Sequence, residues 1–501
     1  MLASPTGEPA PAAPAPGELH LRISELVGWI RRHGGAEGAL VVQAYVGSTE
    51  RGLHAARDVA AGEELCTIPL RCIVTAEMGR DTAAGRRVAR AGLTLGNPKQ
   101  TMLALVLLAE TRRPAAESHF SPYLVTLPPS YDNLPMCWPA EDLARLAGSN
   151  VAGQAAAMRA EMAADYGQVS AAAGADFRGT VSLEQFTWAR LAVSSRCMEI
   201  SLSGAADSTC VLVPLVDMCN HLAQRECGMA DWGFDRHAGV FRMTARHAIP
   251  RGAQVGISYG EKCNSLMALH YGFAQEENVW NAEVDALSAN EVSMCFSTSA
   301  TAPPLLEGSS REAMWESAAA SSQGLAASTD PLGSKRIGLQ ADASSEAFAR
   351  ALALLRVLHA DAAADEALLD SATPLEFPFT GFSSCATEPV SLCNEIAMLS
   401  ALRVLVCAAL AAYPHSLAED DRALPALRGS FTNSCTALLV VRGEKQILAF
   451  IGAFATACLS ALQPGLSAAD QEHAGLFGDQ PAALAAARVH VAICVSVTAA
   501  S

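Results

Sequence analysis

Residues 211–273 decide the reading of this chain: VLVPLVDMCNHLAQRECGMADWGFDRHAGVFRMTARHAIPRGAQVGISYGEKCNSLMALHYGF. The stretch opens on an apolar, β-branched run, VLVPLVDM, that reads as a buried strand emptying into a polar turn at Cys219, Asn220 and His221. VGISYG reads as a second strand end, where Gly260 frees the backbone and Tyr259 stands at the tip. Residues 265–270 then read as a short helix closed by Tyr271, Gly272 and Phe273. Two polar strand tips and an aromatic-capped helix imply a site built from converging loops.

Taken singly, these pieces have plainer readings. Asp217 to His221 is also a capped turn, and Tyr259 also a half-buried strand aromatic. Residues 256–260, GISYG, satisfy the nucleophile-elbow pattern of hydrolases, with His270, His359 or His415 as nominal partners. That pattern needs strands and helices alternating before it to build a parallel sheet, and the sequence lacks that alternation. In order and spacing, PLVDMCNH followed by ISYGEKCNSLMALHYGF resembles the C-terminal signature of SET-domain methyltransferases. More particularly, it is similar to the Rubisco large-subunit methyltransferase-like subgroup, which also includes the actin-histidine methyltransferase.

Further landmarks extend the resemblance past residue 20. In GLHAARDVAAGEELCTIP, Gly52 and Gly62 punctuate two short strands, which on their own read as a β-hairpin. The same stretch resembles the family's first motif, with Thr49, Glu50 and Arg51 in place of its acidic-glycine-bulky-glycine loop. Residues 98–110 read as an apolar helix, and PYLVTLP and WPAEDL are similar to family landmarks. A helical stretch over 183–196 carries Trp188-Ala189 and then Ser195-Arg196. Beyond an Ala/Ser-rich stretch at 297–328, the periodicity is helical, with Asn394-Glu395 opening a helix, then YPHSLAEDDRAL and VRGEKQIL.

The resemblance implies an α+β fold: a β-rich SET core with its pseudoknot at 20–275, carrying a helical insertion at about 100–200. A Pro/Ala-rich tail at 1–19 precedes it, a connecting region at 276–344 follows, and an all-α substrate-binding domain occupies 345–501. It implies S-adenosyl-L-methionine as cofactor, held by Arg51, Gly52, Leu53, Ser195, Arg196, Asp217, Asn220, His221, Tyr271 and Phe273. Asn220 would offer its carbonyl to the cofactor's amino group, the His221 backbone would meet adenine, and Asp217 would brace the turn. Tyr259 is the expected catalytic residue, with Tyr271 and Phe273 walling a narrow channel. The implied substrate is a lysine of a non-histone protein. The alternatives are a histidine acceptor of the actin type and, outside enzymes, an inactive SET module that only binds.

Composition sets outer bounds. Half the residues are hydrophobic and the net charge is -16, which argues against nonspecific nucleic-acid binding. Fifteen cysteines form no C-x-x-C pair, so they read as buried hydrophobes in an intracellular, reducing compartment rather than as disulfides or zinc ligands. Cys219, His221 and Cys227 match no common zinc spacing, and no metal is expected. The first residues carry neither a basic n-region nor an apolar core, so no secretory signal is expected. The uncharged apolar run at 447–462 falls short of the ~20 residues that span a bilayer and reads as a buried helix, so no membrane partner is expected. The chain is expected to act as a monomer.

Overall fold

The computed structural model describes residues 16–45, 50–202, 208–222, 228–260, 262–278, 291–296, 335–360, 388–463 and 477–500. Thr49, Cys227 and the low-complexity stretch at 297–328 lie outside them. The chain is α+β, as expected: several small β-sheets with interposed helices, followed by a helical bundle.

Helix α1 (Pro16–Arg32) leads into β1 (Leu40–Ala44), β2 (Arg51–Ala55), β3 (Glu64–Pro69) and β4 (Val74–Thr75). Six helices follow: α2 (Ala76–Asp81), α3 (Ala83–Ala91), α4 (Pro98–Glu110), α5 (Ser121–Leu124), α6 (Ala140–Ala144) and α7 (Val151–Ala173). After α8 (Ala175–Thr180) and α9 (Leu183–Ser194) the chain returns to strands: β5 (Met198–Ser201), β6 (Ser208–Leu212), β7 (Asn220–His221), β8 (Ala230–Asp235), β9 (Val240–Ala245) and β10 (Gln254–Ile257). Then come α10 (Asn264–Tyr271), β11 (Val292–Phe296) and β12 (Lys335–Leu339). The bundle consists of α11 (Glu346–His359), α12 (Leu392–Ala411), α13 (Leu417–Leu427), α14 (Asn433–Leu462) and α15 (Pro481–Ala500).

Local chemistry explains the best-defined elements. Helix α4 starts where the Asn97 side chain accepts from Gln100 N and Pro98 takes the first helical position. Its residues from Thr101 to Leu108 are all buried, so it is apolar all round. Helix α9 opens on a capping box between Ser182 and Gln185.

Two sheets carry the site. One has the order β1-β2-β10-β7, antiparallel except for the β10–β7 pair, in which Gly256 faces Asn220 and Ile257 faces His221. The other has the order β4-β6-β5 and delivers the chain from Ser208–Leu212 into the site. A third, β3-β9-β8, packs alongside.

These pairings correct two expectations. β2 and β3 do not form a hairpin with each other: β2 pairs with β1 and β10, while β3 joins β9. The turn expected at Asn220-His221 is itself a two-residue strand, preceded by a 3-10 turn at Val216–Met218. The apolar run at 447–462 is the second half of the 30-residue α14. By length and composition α12 and α14 could each cross a membrane, yet 67% of the most apolar window of α14 is buried inside the protein. Asn394 and Glu395 lie within the first turn of α12, which Ser391 caps.

Candidate active site

The parallel pairing of β7 with β10 places the two diagnostic tips side by side. Ile257 O accepts from Leu222 N at 3.1 Å, and the alternation of a parallel ladder then turns the N–H and C=O of His221 away from β10. Asn220 spends its amide nitrogen on the protein, donating to Tyr45 Oη at 3.1 Å and to the Arg51 carbonyl at 3.2 Å. Its Oδ1 is the acceptor that remains to be offered to a ligand. Gly52 lets these groups close on the backbone. A Cβ there would strike the Tyr45 hydroxyl and stand 2.7 Å from Asn220 Nδ2.

Tyr259 lies just beyond β10. Its hydroxyl donates to the Cys219 carbonyl at 2.6 Å, and its backbone N–H donates to His221 Nδ1 at 3.0 Å. The second bond fixes the neutral imidazole with its proton on Nε2. Burial, helped by the charge of Lys262, presses the His221 pKa down to about 4, so the ring is neutral at pH 7. Burial also raises the Tyr259 phenol well above 10, so it too stays neutral.

Helix α10 supplies the facing wall. Gly272 ends it in the left-handed conformation (φ 78°), donating to Ala268 O at 3.0 Å, and leaves no room for a Cβ against the Asn133 amide. The Tyr271 ring then sits 4.5 Å from that of Tyr259, centroid to centroid, with Phe273 at 6.4 Å from both. His221 completes the aromatic set at 5.4 Å from Tyr259. Burial, with the nearby Cys197, lifts the Tyr271 phenol to about 12.

Behind this wall is a buried polar cluster. Tyr123 Oη donates to Asp217 Oδ2 at 2.7 Å; Arg196 Nη1 donates to the Asp217 carbonyl at 2.8 Å and lies 3.6 Å from its carboxylate. Burial pushes the Asp217 carboxyl up while Arg196 opposes it. Arg196 Nε and Asp217 Oδ1 are buried without a hydrogen-bond partner. Arg51 sends its guanidinium to the Thr126 carbonyl, and burial together with Arg196 lowers its pKa to about 10, which leaves it charged at pH 7.

Not every expected residue faces the site through its side chain. Leu53 is fully buried in the core of β2, so only its backbone can contribute. Ser195 Oγ bonds back to the Leu191 carbonyl at the end of α9. Cys219 aims its thiol at Met243. Tyr45, Tyr123 and the Cys219 carbonyl are parts that sequence reading did not assign. Tyr123 stood inside the PYL landmark, whereas nothing around Tyr45 marked it.

The hydrolase reading lacks its context. Ser258 accepts from Gly260 N, and among the described residues β10 meets parallel chain only at the two-residue β7 and at a single bridge to Met229. Away from the site, Glu395, His490 and Cys494 converge in the bundle, but Arg356 clasps Glu395 with two nitrogens and makes the group an ion-pair cluster.

The chain therefore has a SET-type fold with a helical C-terminal domain. Residues 310–448 match the family model described as Rubisco LSMT substrate-binding. The structure of the SET domain of LSMT bound to lysine and AdoHcy superposes with a TM-score of 0.66 at 19% identity, covering 92% of this chain and 97% of that one. Rubisco LSMT bound to AdoMet gives 0.65 at 18%, covering 90% and 95%. Among curated sequences, the actin-histidine N-methyltransferase of Danio rerio is 26% identical over 236 residues, 45% of this chain and 38% of that protein. The Mus musculus enzyme of the same name is 26% identical over 281 residues, 51% and 46%. The chain thus spans less than half the length of these curated relatives.

Proposed function

We propose that the protein transfers a methyl group from S-adenosylmethionine to a side-chain nitrogen of a protein. The observation that carries this reading is the β7–β10 pairing, which sets Asn220 and His221 beside Tyr259 under an aromatic wall. The residues fit the cofactor: Gly52 lets the Asn220 amide nitrogen close on the backbone, which leaves Asn220 Oδ1 as the free acceptor, and Arg196 Nε is a buried donor with no protein hydrogen-bond partner. Asn220 Oδ1 would take the amino group, the outward His221 backbone the adenine, and Arg196 the carboxylate. When bound, the cofactor supplies a methyl group made electrophilic by its sulfonium.

The chain's own residues do the rest. Tyr259 donates its O–H to the Cys219 carbonyl, so its oxygen lone pairs remain to face a polarised methyl and, for an amine acceptor, to accept from its N–H. Tyr271 and Phe273 exclude water and favour an acceptor that becomes cationic. Alignment within this narrow space converts the displacement into an effectively intramolecular step.

A histidine acceptor fits better than a lysine. His221 cannot serve as base, since its Nδ1 is occupied and its pKa is about 4. Tyr259 is a neutral phenol. An imidazole of pKa ~6.5 already presents a lone pair at neutral pH, whereas a lysine near ~10.4 must first lose a proton. The two actin-histidine N-methyltransferases support the same acceptor. The decisive assay offers labelled cofactor with actin and, separately, Rubisco large subunit, and follows single-turnover rate against pH. A histidine acceptor gives a rate flat above about pH 7, a lysine one rising toward about pH 10. Cofactor binding without transfer to any protein would leave a binding module.

A further inference from the structure

One buried carboxylate joins the helical bundle to the wall of the site. Glu444, midway along α14, is 5% exposed and accepts three hydroxyl hydrogen bonds. Ser149 Oγ donates to its Oε1 at 2.9 Å, Ser265 Oγ to the same oxygen at 3.0 Å, and Tyr413 Oη to Oε2 at 2.9 Å. Ser149 stands just ahead of α7, Ser265 in the first turn of α10, and Tyr413 just past α12. The neighbouring Lys445 is committed elsewhere, donating to the His415 carbonyl at 2.9 Å and pairing with Asp420. Glu444 is therefore held by neutral hydroxyls, beside a cavity of about 230 Å³ that Tyr413, Leu405 and Met294 also line.

Taking a carboxylate out of water costs several kcal/mol, and an apolar side chain of similar size would fill the place more cheaply. What the carboxylate adds is direction: its three bonds fix three segments relative to one another. One of those segments matters for chemistry. Helix α10 begins at the Ser265 bond and ends six residues later at Tyr271, about 9 Å along a rigid helix. Tyr271 in turn packs 4.5 Å from Tyr259.

We propose that Glu444 is a positioning residue for methyl transfer: through Ser265 it sets α10, and so the gap between Tyr271 and Tyr259, from the domain that receives the protein substrate. The inference rests on the methyl-transfer reading. Its test uses the full chain with Ser265→Ala, Ser265→Thr, Glu444→Gln and the Ser265→Ala/Glu444→Gln double variant. Hydrogen exchange of residues 264–271 is measured without substrate, and steady-state transfer is measured on the acceptor found with actin or Rubisco large subunit.

Ser265→Ala should speed exchange in that helix about tenfold and lower kcat about tenfold, with KM and S-adenosylhomocysteine affinity unchanged. Ser265→Thr should restore both, and the double variant should be no slower than the worse single one. Unchanged exchange in Ser265→Ala would overturn the link whether or not any acceptor is methylated. Faster exchange with a raised KM and normal kcat would overturn the positioning role, because the bundle would then only grip its substrate. Failure of methyl transfer in the wild type overturns the parent reading instead, and the exchange measurement separates the two.

Discussion

Replacing Tyr259 with Phe removes one hydroxyl and keeps a ring that packs against Tyr271, His221 and Phe273. That hydroxyl makes a 2.6 Å bond to the Cys219 carbonyl, so the variant leaves a buried acceptor unpaired. Such a loss costs about 1–2 kcal/mol, which lowers Tm by a few degrees. Against a typical stability of about 5–15 kcal/mol the variant stays folded, and stability alone leaves its activity intact. If the Tyr259 oxygen also orients the acceptor and the methyl group, the rate carries a separate loss. A positioned hydrogen-bonding group at developing charge is worth about 10²–10³ in rate. Single-turnover methylation at saturating cofactor isolates that step, with S-adenosylhomocysteine calorimetry and a melt run in parallel. A rate about a hundredfold down, with cofactor affinity unchanged, is the expected result. A rate within about threefold of wild type, accompanied by the lower Tm, would refute the catalytic role and leave Tyr259 as the brace of the Cys219 turn.

Other perturbations separate the remaining parts. Asn220→Ala removes both the proposed acceptor for the cofactor and two bonds to β2 and Tyr45, and calorimetry in the presence of chelator should show S-adenosylhomocysteine binding weakened about tenfold or more. Gly52→Ala should push Asn220 aside and weaken the same binding, while Gly153→Ala, which meets no atom within 4 Å and has no left-handed backbone to strain, should leave it unchanged. His221 has its pKa pressed from 6.5 to about 4 in the folded chain, so the unfolded chain takes up a proton first as pH falls. The resulting stability is present above about pH 6.5 and declines toward pH 4; urea melts at pH 7 and 4.5 should differ more for the wild type than for His221→Gln.

The parts legible in the sequence were those fixed by neighbours along the chain. Helix α4 could be read to its ends because Asn97 caps it and burial is continuous from Thr101 to Leu108. Helix α10 was legible for the same reason, with Gly272 closing it. Strand β7 was not, because two residues become a strand only through Gly256 and Ile257, which lie 36 residues further on. The hairpin reading of the Gly52 region failed likewise: the partners that decide it, Gln254 and Val255 for β2 and residues of β9 for β3, come from the far side of the helical insertion. No local pattern marks Tyr45, because its importance lies in meeting Asn220 across 175 positions.

The one parallel pair in the β1-β2-β10-β7 sheet also bears on how the protein comes into being. Residues 40–55 can pair with each other early, but β10 must wait for two hundred further residues to be made before it can join β2 and receive β7. Long-range pairings of this kind close large loops before they are rewarded, so they form slowly and late. Asn220, His221 and Tyr259 therefore come into register only once residues on both sides of the helical insertion have been made. A chain halted short of residue 254 on the ribosome would have an apolar α4 and an exposed edge on β2, yet no binding site for the adenosyl ligand to rescue. Ligand added during refolding should accordingly leave the folding rate unchanged and slow only unfolding, since its grip depends on the final threading.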